Sequence, residues 1–139
     1  MTLYSLNREH LAAPAVQALM ALRDELVRRL AEEIASWSVP VVHASLFGSA
    51  ARGDGDVTCD IDLFVVRPHA VDQDDAAWRS QIDRLATEIL AWTGNHAGIS
   101  EVGERELALV RKTDAGKSIH DEAVTLAGEH IDAVLGGPA

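Results

Sequence analysis

Cysteine is nearly absent from this chain: Cys59 stands alone among 139 residues. A single thiol excludes an internal disulfide and any Cys-X-X-Cys pair. Positive charge is also scarce, with twelve Lys or Arg against twenty-two Asp or Glu and a formal net charge of -10. Such a balance opposes nonspecific attraction to nucleic acid or to an anionic membrane. No apolar stretch reaches membrane-spanning length, and Arg8, Glu9 and His10 precede a polar-patterned helix rather than the apolar core of a signal peptide. A cytoplasmic protein is expected, with no membrane partner and with nucleic acid disfavoured. The histidines form no complete zinc set, and no long unit repeats. At this length, with 47% hydrophobic residues, one domain over residues 1–139 with one sizeable core is the simplest organisation.

What is present is concentrated in one stretch. The apolar run Val41-Val42-His43-Ala44-Ser45-Leu46-Phe47 reads as a strand and leads into Gly48-Ser49-Ala50-Ala51-Arg52-Gly53-Asp54. Gly48 suits a tight turn or close backbone approach, and Ser49 can open a short helix whose free amides face an anion. Arg52 follows Ser49 by one helical turn, so its guanidinium can engage the same phosphate or fasten Asp54 or Asp56 in the loop. Six residues on, Asp60-Ile61-Asp62-Leu63-Phe64-Val65-Val66 reads as a second strand. Period two places the two carboxylates on one face, roughly 7 Å apart at the backbone and able to converge on Mg2+. Cys59 then falls on the opposite side from Asp60, where packing explains it better than nucleophilic catalysis.

In this order, Gly48, Ser49, Arg52 and Gly53 followed by Asp60 and Asp62 resemble the DNA polymerase beta-like nucleotidyltransferase superfamily, in particular its small prokaryotic members. The resemblance covers most of the chain, from the helix before Val41 to the segment around Gly128. It implies an α/β nucleotidyltransferase fold, a small mixed central sheet flanked by helices. The activity implied is transfer of a nucleoside monophosphate from an NTP, ATP being favoured, to an acceptor with release of pyrophosphate. Asp60 and Asp62 would hold Mg2+, or Mn2+ in its place, and Gly48, Ser49 and Arg52 would hold the triphosphate.

Catalytic members of the superfamily add a third carboxylate from a later central strand. Glu101, in Ile99-Ser100-Glu101-Val102, is the candidate metal ligand or general base; a surface acid is the competing reading, and a one-residue register slip would turn it away. Glu in place of the usual Asp moves a ligand by about 1 Å, which matters at near-octahedral Mg2+. The acceptor can be a small molecule or a protein, including a partner toxin, and a homo-oligomer would enlarge the acceptor surface. The alternative is a catalytically weak nucleotide-binding or regulatory, antitoxin-like protein.

The rest of the chain reads mainly as scaffold. Leu11, Ala15, Leu19, Leu22, Leu26, Leu30, Ile34 and Trp37 mark a long helix packed on the core, with Pro14 in its first turn and Pro40 beyond its end. Trp78, Ile82, Leu85, Ile89 and Trp92 mark a second, entered through Asp72-Gln73-Asp74-Asp75 and left at Gly94-Asn95. A strand near residues 96–102, a short helix over residues 104–111 and a further helical segment follow. Val124-Thr125-Leu126 fits a short strand or a continued helix, and residues 130–135 fit a last helix. His43 and His96 can approach the pocket or serve as core or rim residues, and Lys112 and Lys117 can touch phosphate. Residues 1–11 resemble the remnant edge of an upstream winged-helix module.

Overall fold

A computed structural model describes residues 7–48 and 61–136. The expected strand and helix entrance of residues 1–11 lies partly outside the described residues, and residues 7–12 form turns. Helix α1, Ala13–Ala35, starts with proline in its first turn, where a missing N–H costs nothing. It ends at Ser36, whose hydroxyl donates to the Glu33 carbonyl at 2.6 Å. Strand β1, His43–Phe47, then leads to β2, Ile61–Arg67.

Helix α2, Ala76–Thr93, is opened by Asp75, whose carboxylate accepts the Trp78 amide at 2.9 Å. Gly94 closes it with φ of 74°, a left-handed cap that favours glycine. β3, Ala97–Gly103, follows, then a 3-10 turn over Glu104–Glu106 and the short helix α3, Leu107–Arg111. Helix α4, Asp114–Glu122, is capped by Thr113, and β4, Val124–Gly128, precedes α5, Ile131–Leu135. The Val124 segment is thus a strand rather than a helical continuation.

The strand order is β3-β2-β1-β4. β1 runs antiparallel to both β2 and β4, whereas β2 and β3 are parallel through the α2 crossover. The sheet is therefore mixed, and its two faces bury two cores. Ala44, Leu46, Ile61, Leu63 and Val65 pack beneath α1 and α2 with Leu30, Ile34, Trp78, Leu85 and Ile89. Trp37 meets Trp78 edge-on, ring centroids 5.9 Å apart. Phe64 and Val66 turn the other way, against Leu107, Ile119, Ile131, Val134 and Leu135 of α3, α4 and α5.

The first stripe needs correction. Leu30, Ile34 and Trp37 are buried as expected, but Leu11 is 98% exposed and Leu19 and Leu22 are each 65% exposed. The amino-terminal half of α1 extends past the sheet, so its apolar side has no core beneath it.

Candidate active site

Pairing fixes which side chains share a face. Phe47 stands opposite Asp62 on one side, and Gly98 stands opposite it on the other. Since opposed residues project together and successive residues project apart, Asp62, Phe64 and Val66 share their face with Gly98, Ser100 and Val102. Helices α3 to α5 cover the far end of that face, leaving the Asp62 end beside Gly48, where β1 stops.

Two glycines shape the slot around the Asp62 carboxylate. Gly48 has φ of 77°, and a Cβ there would stand 2.8 Å from Asp62 Oδ2. A Cβ on Gly98 would stand 3.0 Å from Asp62 Oδ1. Each oxygen thus has a glycine so close that an added side chain would press on it. Gly48 is where sequence reasoning expected close backbone approach. Gly98 was not singled out, although a glycine inside a strand marks such an approach.

Ser49, Arg52 and Asp60 lie outside the described residues, as do Gly53 and Cys59. Among the described residues, no group of three or more His, Cys, Asp or Glu could hold a metal ion.

Glu101 does not join Asp62. The register sets it opposite Val65, on the face beneath α1 and α2. There its Oε1 accepts from Arg67 at 2.5 Å and from the Trp78 indole at 2.8 Å, and its Oε2 accepts from Arg79 at 3.1 Å. The Glu101 and Arg67 side chains are only 13% and 11% exposed, and Arg67 also donates to the Val71 carbonyl at 2.9 Å. The expectation that Glu101 approaches the metal from the next strand is corrected by this one-residue parity. Of the β3 residues that share the face of Asp62, Gly98 and Ser100 are exposed.

Of the histidines, His43 shares the face of Asp62 but is fully buried at the far end of β1, with Nδ1 2.5 Å from the Glu129 carbonyl. Burial pushes its pKa down. His43 is a core residue rather than a pocket group. His96 is exposed just before β3, its carbonyl accepting the Ile61 amide at 3.2 Å. Lys112 and Lys117 are exposed on the α3 and α4 layer. Trp78 is a core residue, and Trp92 lies 5.7 Å from the Arg29 guanidinium, between α1 and α2. Both tryptophans belong to the core on the face of the sheet opposite Asp62.

A model of the family described as nucleotidyltransferase domain matches residues 27–134. No curated protein matches the chain. Among solved structures, a chain of a toxin–antitoxin crystal structure with AMP-PNP is 18% identical, covering 78% of this chain and 80% of its own, with a TM-score of 0.51. A chain from a Shewanella oneidensis complex, described as a tri-AMPylated HEPN toxin with MNT antitoxin, is also 18% identical, covering 83% and 76% with a TM-score of 0.42.

Proposed function

The chain belongs to the nucleotidyltransferase domain family, and from that premise we propose that it transfers AMP from ATP to a hydroxyl of a protein acceptor, releasing pyrophosphate. The reaction class, nucleotidyl transfer, comes with the family. The observation that carries the site is Asp62, a carboxylate with Gly48 against one oxygen and Gly98 against the other. Its hard oxygens and the acidic neighbour Asp60 suit Mg2+ or Mn2+. A divalent cation bound there would supply charge neutralisation at the triphosphate and activation of the acceptor oxygen.

In this reading Asp60 and Asp62 would hold the cation. Ser49 and the turn amides hold the outgoing phosphates, and Arg52 braces them through its paired donors. The acceptor oxygen forms a bond to the α-phosphorus as the bond from that phosphorus to the bridging oxygen breaks. Pyrophosphate leaves with the bonding electrons, and the hydroxyl proton passes to a carboxylate or to solvent. Exposed Gly98 and Ser100 leave the acceptor side of Asp62 uncrowded. A protein acceptor, a toxin paired with this chain, is supported by the toxin–antitoxin relative crystallised with AMP-PNP; a small-molecule acceptor is the competing branch.

Incubation with ATP labelled at the α-phosphate, Mn2+ or Mg2+ and the product of a neighbouring gene tests the assignment. Label on that protein and equimolar pyrophosphate are expected, both lost in Asp62→Asn. A second reading, nucleotide binding without transfer, is favoured by one observation: β3 presents Gly98 and Ser100, not a carboxylate, beside Asp62. ATP binding without any labelled product, across protein and small-molecule acceptors, would select it.

A further inference from the structure

The strands beside Asp62 decide how many cations its site can serve. Asp62 stands opposite Phe47 on β1 and Gly98 on β3, so neither ladder partner brings a ligand oxygen in its side chain. A Cβ on Gly48 or Gly98 would stand 2.8 Å or 3.0 Å from a carboxylate oxygen, and an acid at either position would push Asp62 aside. Two residues along the same face come Ser45, fully buried, and Ser100, exposed. On the two strands that flank β2, no side chain on this face is an acid. The one acid of β3, Glu101, faces the other way and is held by Arg67, Arg79 and Trp78.

A cation on a triphosphate takes most of its ligands from phosphate oxygens and water, so one or two carboxylates suffice to hold it. A second cation about 4 Å away, set against the attacking oxygen, depends more heavily on protein oxygens. Ser100 is the place on β3 from which such a ligand could come. It lies two residues from Gly98, with its Cα about 8 Å from that of Asp62, a spacing at which two aspartates can converge on a cation pair. A serine hydroxyl brings no charge and is a poor ligand beside a carboxylate. We propose that this site takes one divalent cation, the one that accompanies the triphosphate, and that Ser100 fixes this number by standing where a further carboxylate would complete a two-cation site. The inference rests on the reading of Asp60 and Asp62 as cation ligands.

Electron paramagnetic resonance on the full chain, with Mn2+ and a nonhydrolysable ATP analogue, reads the number without any transfer. Two Mn2+ ions about 4 Å apart couple their spins, whereas a single ion keeps its ordinary hyperfine pattern. Wild type at saturating analogue should bind one Mn2+ per chain, uncoupled. Ser100→Asp should bind two, coupled, while Ser100→Asn, of similar volume but without the charge, should stay at one. A coupled pair in wild type overturns the proposal and leaves Asp62 a ligand. A Ser100→Asp chain with wild-type circular dichroism that still binds one overturns it too. The wild-type count needs no variant, so it decides the matter should Ser100→Asp not fold. A wild type that binds no Mn2+, or that binds it equally well after Asp62→Asn, instead removes the underlying cation site, and the proposal falls with it.

Discussion

Two carboxylates on neighbouring strands illustrate how one residue type serves opposite ends. Asp62 lies on the face of the sheet that opens beside Gly48, with Gly48 and Gly98 close to its two carboxylate oxygens. Glu101 lies three pairs further along the β2–β3 ladder and on the other face, clamped by two guanidiniums and an indole. Three is an odd number, and in a strand that alone reverses the face. At the first position the carboxylate faces two backbone segments without side chains. At the second, the same group holds α2, β2 and β3 together.

Breaking the clamp should have the largest effect. Glu101→Ala leaves Arg67 largely buried without its anion, and a loss of about 3 kcal/mol in stability is expected, read from the urea midpoint. ATP binding by the fraction that remains folded should be unchanged. A Glu101→Ala protein as stable as wild type but devoid of nucleotide binding would reverse the assignment of the two carboxylates.

Asp62→Asn should show the converse. Volume is conserved but a metal-binding charge is removed, so transfer should fall by about 100-fold or more with a nearly unchanged urea midpoint. Gly98→Ala sharpens the comparison without touching either acid. The added methyl presses on Asp62 Oδ1 from 3.0 Å, and a displacement of a few tenths of an ångström should lower transfer by about 10-fold. The apparent Mn2+ affinity should fall with it. The same measurement on Ser100→Ala gives the background for a small change on that face.

The smallest effect belongs to His43. Its pKa is held below the ordinary 6.5, chiefly by burial, with the nearby His130 adding to the depression and the Glu129 carbonyl opposing it. The unfolded chain therefore binds a proton more readily than the folded one. Stability from this group is fully present above pH 6.5 and is lost as pH falls through the folded-state value. Urea midpoints between pH 7.5 and 5 should decline less steeply in His43→Leu than in wild type. Taking that difference separates His43 from Glu88, whose carboxyl is pushed up by burial and by Glu33 and has the opposite sign.

Much of the framework was legible in the residues because local chemistry dictates it. Pro14 and Pro40 bracket α1, Asp75 and Gly94 cap α2, and the apolar run before Gly48 can only be satisfied as a buried strand. The misplacements share a different origin. Leu19 and Leu22 have the spacing of core residues, but spacing reports which side of a helix is apolar, not whether a sheet lies beneath it. Trp78 and Trp92 have equivalent places in one stripe, yet only Trp78 reaches the centre of the core.

The sequence by itself determined most of the elements, though not whether Val124-Thr125-Leu126 is strand or helix, and the pairing of Gly48 with an acidic strand, since turn geometry, capping and period-two alternation act over a few neighbouring residues. Only the tertiary structure decided the β2–β3 register, and with it that Gly98 rather than Glu101 stands beside Asp62. Parallel strands joined through an eighteen-residue helix have no hairpin to set their alignment. The packing of Trp78, Arg67 and Arg79 around Glu101 satisfies its buried charge in this register, and a slip of one residue would leave that charge without them.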